Sequence, residues 1–399
     1  MSDPHQQVVS ADAVDPETHE HGQRTFLQRR LGHAAGGRDL GASRYELAPG
    51  KRTWPAHYHA GNEEAVYVLA GELRLFHGET DRTEHRLSAG DYVALPTGPA
   101  HAHELEAAGE GTARFLVVST MTDPDIAVLP DGRKVSLFAG DPPGEYEGRS
   151  LSRTLDLDAE VDYWDDTTEA EASGVDADDT GTTDASGVDA DDTGTTDASG
   201  VDADDTRRAS DDGTRGDGSD HAGADSSGDP ADGGGTAAPV VSGSDLEWTE
   251  YDPPREGHRF RRTQLGAPAG GRDLGASRYE LPPGKRAWLP HYHAGNEEAM
   301  YVLDGEGTVT LGPDREDHAL SAGDYVALPA GEAGFHDVHA GESTLRYLMV
   351  STMTEPDITV YPKDGRVGLY AGSAPGGDSD ARTISRYLDS DAEVDYWTG

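Results

Sequence analysis

The chain contains no cysteine, which excludes disulfide bonds, thiolate metal sites and catalysis by a nucleophilic thiol. Positive charge is also scarce, because 32 Lys and Arg residues stand against 76 Asp and Glu residues, a formal net charge of -44 over 399 residues. Nucleic-acid binders need clustered basic residues to neutralise phosphates, so we expect no nucleic-acid partner. No apolar run approaches the roughly 20 residues that cross a bilayer, and residues 1–20 lack the apolar stretch of a signal peptide. These absences predict a soluble, cytoplasmic protein without a membrane partner.

The acidic character is spread over the whole chain. Residues 165–245 hold 23 acidic residues and 3 arginines, which leaves 53 acidic against 29 basic residues elsewhere, a net charge of -24. The composition is rich in Asp, Glu, Gly and Thr and poor in Lys, and it resembles that of halophilic proteins that work at high internal salt. At about 1 M salt the Debye length is about 3 Å, which screens such repulsion. We therefore expect the fold to depend on salt.

An internal repeat organises the chain. The string GGRDLGASRYEL at 36–47 recurs unchanged at 270–281, and HYHAGNEEA at 57–65 recurs at 291–299. The strings SAGDYVALP, STMT and DAEVDYW also occur once in each half, in the same order. Such collinear repetition predicts two copies of one domain. Because a duplicated sheet protein can bury an edge or face that one copy would expose, we expect the copies to pack as an intramolecular pseudo-dimer.

A different, shorter repeat separates the two copies. The string SGVDADDTGTTDA begins at Ser173 and again at Ser186, and Val is its only sizeable apolar residue. Such a segment buries too little apolar surface to offset the entropy of ordering. We therefore predict a disordered acidic linker over 165–245. It would join an N-terminal domain with a polar tail at 1–164 to a C-terminal domain at 246–399.

Each copy has the pattern of an all-β fold. Short runs rich in Val, Tyr, Phe and Leu, such as those at 65–76 and 113–120, alternate with Gly, Pro and Asp. No segment keeps a 3.6-residue period, so the runs are predicted to be strands. Many short strands in a domain of this size predict a sandwich or a barrel.

Two histidines followed by a glutamate form the clearest candidate site. His57 and His59 are two residues apart in a strand-like run, which directs both imidazoles to the same face. Glu64 follows a turn-like segment and opens the next strand, so it can face the two imidazoles across a hairpin. Nitrogen and oxygen ligands on strands suit a divalent metal ion. The second copy repeats this candidate set as His291, His293 and Glu298.

The spacing of these residues resembles two motifs of the cupin superfamily. The string Gly50-x6-His57-x-His59-x4-Glu64-x6-Gly71 resembles the first motif, whose histidines and glutamate are metal ligands, and Gly90-x5-Pro96-x-Gly98-x2-His101 resembles the second, whose histidine completes the set. Counting back from the glycine favours Glu64 over Glu63, and Glu298 over Glu297. The resemblance covers roughly 25–164 and 258–397. It implies two double-stranded β-helix, or jelly-roll, barrels: a bicupin.

The fourth ligand has two candidates. Strict spacing selects His101, but the second copy has Gly334 at that place, whereas both copies have a histidine two positions later, His103 and His336. Residues 101 and 103 have the same strand parity, so geometry alone does not separate them. If both copies bind metal through equivalent residues, the shared histidine is the ligand. The rival interpretation is a first site that uses His101 and a weak second site with three ligands. The predicted sets are His57, His59, Glu64 and His103 in the first barrel and His291, His293, Glu298 and His336 in the second, with His101 as a hydrogen-bond donor behind the ligands.

The resemblance implies a metal-dependent activity without naming the reaction, because cupin barrels oxidise, decarboxylate, isomerise, bind sugars or store. Three neutral imidazoles and one carboxylate leave a divalent ion with a net charge of about +1, which favours anionic ligands. We therefore expect a metal-binding bicupin that acts on or binds a small, anionic organic ligand. The metal would be Fe, Mn, Ni, Cu or Zn, since His/Glu sites accept all of them. The alternative is a non-catalytic metabolite- or metal-binding sensory module.

Overall fold

A computed structural model describes residues 6–140, 149–159 and 239–394, and in that part of the chain the fold is all-β, as predicted. The predicted linker lies outside the described residues up to position 238, so its disorder stays a prediction. Within the described ranges, no helix is long and apolar enough to cross a bilayer. The first half contains β1 Val8–Ser10, β2 Glu17–His21, β3 Arg24–Arg30, β4 Leu40–Leu47, β5 Tyr58–His59, β6 Glu64–Ala70, β7 Glu72–His77, β8 Thr83–Ser88, β9 Tyr92–Leu95, β10 His103–Ala107, β11 Ala113–Thr120, β12 Asp125–Leu129, β13 Lys134–Ala139 and β14 Leu151–Asp156.

The second half repeats this order strand by strand. It contains β15 Val240–Val241, β16 Thr249–Tyr251, β17 Phe260–Gln264, β18 Leu274–Leu281, β19 Tyr292–His293, β20 Glu298–Asp304, β21 Glu306–Leu311, β22 Glu316–Ser321, β23 Asp324–Leu328, β24 His336–Ala340, β25 Leu345–Thr352, β26 Asp357–Tyr361, β27 Arg366–Ala371 and β28 Ile384–Asp389. The helical segments are short: α1 Leu31–Ala34 and the 3₁₀ turns Pro99–His101, Pro130–Gly132, Ala267–Ala269 and Glu332–Gly334.

Each barrel is built from three antiparallel sheets. In the first barrel they have the orders β15-β9-β6-β11-β4-β3-β2, β10-β7-β8 and β14-β13-β12-β5, and the second barrel has the equivalent three. Every second side chain along a strand faces the barrel interior. In β7, Leu73 and Leu75 are fully buried there, and His77 lies on the same face. Each barrel has its own apolar core, which includes Phe115 in the first and Phe260 in the second.

The two barrels exchange their first strands. Strand β1 pairs with β23 of the second barrel, and β15 pairs with β9 of the first. Val8-Val9-Ser10 recurs as Val240-Val241-Ser242, a short match between the two halves. Residues 239–245, which composition assigns to the linker, therefore include a strand of the fold. This strand covers an edge of the first barrel's sheet that would otherwise be open.

A third apolar core lies between the barrels. Tyr67 and Leu116 of the first barrel belong to the same buried cluster as Tyr301 and Leu348 of the second. The cluster also includes Val9 of the exchanged strand, which is 7% exposed. The expected intramolecular pairing is thus present, and it has a continuous hydrophobic interior.

A buried carboxylate reaches across this interface from each side. Glu63 has no exposed surface, and its carboxylate accepts hydrogen bonds from the backbone N–H groups of Arg272 and Asp273, each at 2.9 Å. The approach is close, because a Cβ added at Gly271 would lie 2.9 Å from Glu63 Oε1. Burial raises the pKa of Glu63, and these two hydrogen bonds oppose that rise. The other half repeats the contact, with Glu297 accepting from the N–H groups of Arg38 and Asp39, each at 3.0 Å.

These contacts explain why GGRDLG is unchanged between the two copies. Its second glycine, at 37 and 271, leaves room for the glutamate of the other barrel, and the next two N–H groups bind that glutamate. Glu63 and Glu297, the less favoured ligands in our sequence analysis, therefore serve the interface.

Candidate metal centres

Three strand ends position the candidate ligands of the first barrel. His59 ends β5, which pairs with β12, and Glu64 is the first residue of β6. His103 begins β10, and its backbone exchanges two hydrogen bonds with His57, at 3.1 Å and 2.9 Å. This bridge holds the two histidines side by side, with ring centroids 4.6 Å apart.

The three imidazoles of the first barrel surround one oxygen of the Glu64 carboxylate. Glu64 Oε2 lies 3.8 Å from His57 Nε2, 3.6 Å from His59 Nε2 and 3.3 Å from His103 Nε2. It is buried and has no hydrogen-bond partner among the described residues. A buried carboxylate oxygen without a partner is costly, and a cation among these atoms would remove that cost. The donor set therefore fits a divalent metal ion.

The other ring nitrogen of each histidine has an acceptor. Because these acceptors face Nδ1, that nitrogen carries the proton and Nε2 keeps its lone pair for a metal. The Nδ1 contacts are His57 to the Pro55 carbonyl at 2.8 Å, His59 to Asp125 Oδ2 at 2.5 Å, and His103 to the His101 carbonyl at 3.1 Å.

Burial and neighbouring charges set the protonation of the cluster. Burial and the proximity of His103 lower the pKa of His57 to about 3, so its imidazole is neutral near pH 7. For Glu64, burial favours the protonated form, but the adjacent imidazoles outweigh it and the pKa lies below the usual value. Burial also disfavours the charged form of His59, while Glu64 and Asp125 outweigh it and raise its pKa. The carboxylate is thus ionised, as a metal ligand must be.

The second barrel contains the same arrangement. Glu298 Oε2 lies 3.7 Å from His293 Nε2 and 3.5 Å from His336 Nε2, and it too is buried without a hydrogen-bond partner in the described ranges. The His291 ring packs 4.4 Å from that of His336. The Nδ1 atoms of His291, His293 and His336 contact the Leu289 carbonyl at 2.6 Å, Asp357 Oδ2 at 2.6 Å and the Gly334 carbonyl at 3.0 Å.

The structure separates the two candidates for the fourth position by placement. His103 and His336 lie in the clusters, whereas the His101 imidazole faces His77, with Nδ1 and Nε2 3.3 Å apart. We expected the His101 side chain to donate a hydrogen bond to the metal ligands. Instead, the backbone carbonyl of His101 accepts a hydrogen bond from His103 Nδ1. Gly334 supplies the same carbonyl, and a Cβ there would lie 1.9 Å from the Pro329 oxygen, so no larger side chain fits. All eight predicted residues are thus brought together, four in each barrel.

Two functional residues were missed by sequence reasoning. Asp125 and Asp357 hold the Nδ1 atoms of His59 and His293, and the other Asp125 oxygen accepts the Gly61 N–H at 2.9 Å. The repeat offered a signal, because Met-Thr-x-Pro-Asp-Ile occurs at 121–126 and 353–358.

A cavity opens onto each cluster. The first has a volume of about 350 Å³ and is lined by His57, His59, Glu64 and His103 together with Trp54. The second has a volume of about 990 Å³ and is lined by the four equivalent residues. Each cluster can therefore be reached by a small molecule.

Comparison with known proteins agrees with this architecture. A family model of the cupin domain matches residues 43–119 and again residues 277–351. A search of curated protein sequences found no significant match.

Several solved structures are similar to the chain. Oxalate decarboxylase from Lactobacillus farciminis is 14% identical, with a TM-score of 0.49, over 90% of this chain and 89% of that one. A variant of the Bacillus subtilis oxalate decarboxylase is 13% identical, with a TM-score of 0.48, over 89% of this chain and 79% of that one. A protein from Silicibacter pomeroyi described as a sugar phosphate isomerase of the cupin superfamily is 25% identical, with a TM-score of 0.32, over 37% of this chain and 91% of that one.

The doubled family match and the two equivalent barrels lead to the same assignment. Each half of the chain contains one cupin domain, so the protein is a duplicated cupin, or bicupin.

Proposed function

We propose that each barrel holds one divalent metal ion through three imidazole Nε2 atoms and one carboxylate, and binds a small organic anion next to it. The observation that carries this proposal is the buried Oε2 atom of Glu64, and of Glu298, which faces imidazole nitrogens and has no hydrogen-bond partner in the described residues. The ligands are His57, His59, Glu64 and His103 in the first barrel, and His291, His293, Glu298 and His336 in the second.

The residues around the ligands prepare them for a cation. Asp125 accepts a hydrogen bond from the Nδ1–H group of His59 and another from the Gly61 N–H, so it fixes both the ring and the following turn. Such outer hydrogen bonds orient a ligating imidazole and increase its basicity. A divalent ion bound there supplies Lewis-acid polarisation of an oxygen of the organic ligand. Fe, Mn, Ni, Cu and Zn all suit this donor set.

Charge favours an anionic ligand at both sites. A divalent ion with one carboxylate and three neutral imidazoles has a net charge of about +1. The first cavity is also lined by Arg30 and Arg149. The second is lined by three arginines, which outnumber the two acidic residues there besides Glu298: Arg262, Arg366 and Arg382 against Asp245 and Glu247. Guanidinium groups recognise carboxylates and phosphates through paired hydrogen bonds.

A second candidate function is binding without catalysis. Among residues 6–140, 149–159 and 239–394, the one carboxylate that lines the first cavity is Glu64, which we assign to the metal. A reaction that uses a carboxylate as its acid or base would need a second one within hydrogen-bond reach, and apart from the proposed metal ligands the cavity offers one further imidazole, that of His33. This observation favours a metabolite-binding module for the first barrel.

Calorimetry on the full chain tests the proposal. The protein is loaded with Mn²⁺ in molar KCl and titrated with oxalate and with succinate, and the matched control is the Glu64→Gln/Glu298→Gln double variant. We expect anion binding by the loaded wild type and none by the control. Equal binding by both proteins would contradict the proposal. Oxygen consumption and loss of the carboxylate, followed in the same samples, distinguish an enzyme from a binding module.

A further inference from the structure

The two cavities differ along one wall. In each barrel this wall belongs to the four-stranded sheet, β12 to β14 in the first barrel and β26 to β28 in the second. The positions correspond by strand register, since Asp125 pairs with Phe138 as Asp357 pairs with Tyr370. By this register, the first wall presents Ala127, Leu129 and Phe138 where the second presents Thr359, Tyr361 and Tyr370.

Each of these replacements places a hydroxyl group on the wall of the second cavity. Thr359 Oγ1 lies 3.2 Å from His293 Nδ1, next to the metal centre. The Tyr361 ring packs on His291, with centroids 5.6 Å apart and an angle of 26° between the rings. The hydroxyl-bearing residues of this wall therefore directly contact two of the proposed metal ligands, His293 and His291.

Further phenols extend this polar wall to solvent. The Tyr370 hydroxyl donates a hydrogen bond to Tyr387 at 2.8 Å, and the Tyr387 ring lies 6.0 Å from that of Tyr361, centroid to centroid. Tyr387 is 62% exposed and also lines the cavity. A phenol hydroxyl keeps its proton near pH 7. Each phenol can therefore both donate and accept a hydrogen bond.

This chemistry discriminates between ligands by their hydroxyl groups. A hydroxyl buried without a partner loses its hydration, which the side chains of Ala127, Leu129 and Phe138 in the first cavity cannot replace. The wall of the second cavity can replace this hydration, because a phenol there can exchange its hydrogen bond with another phenol for a hydrogen bond with the ligand. The second cavity also has the greater volume, about 990 Å³ against about 350 Å³.

We propose that the second barrel binds a polyhydroxylated organic anion, of the chemical class of sugar acids, whereas the first binds an organic anion with few hydroxyls. Tyr361 and Tyr370 are the specificity-determining residues. The inference rests on the proposed function, because the metal centre supplies the attraction for the anion. The two barrels would then have different ligands despite equivalent metal centres.

Two probes of equal charge and chain length test this inference. Gluconate and hexanoate each have six carbons and one carboxylate, but only gluconate has hydroxyls along the chain. The Mn²⁺-loaded full chain is titrated with each in molar KCl, and sorbitol serves as the uncharged polyol. We expect one gluconate site per chain, abolished by Glu298→Gln, and one hexanoate site, abolished by Glu64→Gln.

The chain itself supplies the matched variants. Tyr361→Leu/Tyr370→Phe introduces the residues of the first barrel and should weaken gluconate binding about tenfold or more, with hexanoate binding unchanged. Leu129→Tyr/Phe138→Tyr makes the reverse exchange and should weaken hexanoate binding. Metal content and Tm, measured for every variant, show whether it is folded and loaded.

The outcomes separate the inference from the proposed function. Hexanoate binding without gluconate binding, or unchanged gluconate affinity in the folded Tyr361→Leu/Tyr370→Phe variant, would overturn the inference alone. Failure of the loaded protein to bind either probe, oxalate or succinate would overturn both.

Discussion

Removing one interface carboxylate should destabilise the whole protein. In Glu63→Ala, the backbone N–H groups of Arg272 and Asp273 lose the acceptor that now lies 2.9 Å from each. Hydrogen bonds to a charged group contribute about 1.5–3 kcal/mol each. The burial that raises the pKa of Glu63 shows that its desolvation offsets part of this gain.

We therefore expect Glu63→Ala to lower the free energy of unfolding by about 2–4 kcal/mol. Glu297→Ala should have a similar effect, because its contacts are equivalent. The matched control is Glu110→Ala, an exposed glutamate of the first barrel, which should stay within about 0.5 kcal/mol of wild type.

Denaturant unfolding in molar KCl, followed by far-UV circular dichroism and by Trp fluorescence, measures these differences. The two signals should move together, since the carboxylate joins one barrel to the other. A Glu63→Ala protein as stable as the Glu110→Ala control would refute the reasoning. Unfolding of the first barrel alone would also refute the reasoning, because the lost contact joins the two barrels and its loss should destabilise both.

Three further predictions address the charge, the exchanged strand and the fourth ligand. The net charge of -24 outside residues 165–245 should make Tm fall as KCl is lowered from about 3 M to about 0.1 M, and an unchanged Tm would contradict it. Val9→Asp, which buries a charge between the barrels, should lower stability by about 3 kcal/mol or more, whereas the exposed control Ser10→Asp should have little effect on the same unfolding curve. Elemental analysis of His101→Ala should show the wild-type metal content, since its imidazole faces His77; loss of one metal in that variant, with full content in His103→Ala, would show that His101 is the ligand.

Much of the fold could be predicted from the sequence, because strand periodicity and duplication are local patterns that repeat. The interface could not be predicted in this way. GGRDLG is conspicuous as a repeat, yet its function depends on Glu63 and Glu297, each more than 200 residues away along the chain. The exchanged strands were missed because Val240–Val241 is short and adjoins an acidic segment, where composition suggests a linker.

The residues of the site were accessible to sequence reasoning for a similar reason. His57 and His59 share one face of a strand, and this parity is local. The prediction of His103 rather than His101 came from the comparison of the two copies, since the second copy has Gly334 at the place of His101, and in the structure both residues present a backbone carbonyl to the next histidine. Asp125 could not be found from spacing, because its contact with His59 joins positions 66 residues apart.

The most direct test of the central claim is the metal content of four proteins purified in molar KCl and dialysed against Mn²⁺. They are wild type, Glu64→Gln, Glu298→Gln and the double variant, and Tm verifies that each is folded. The two-centre account predicts two, one, one and no metal ions per chain. Two metal ions in the folded double variant, or no more than one in wild type, would contradict it.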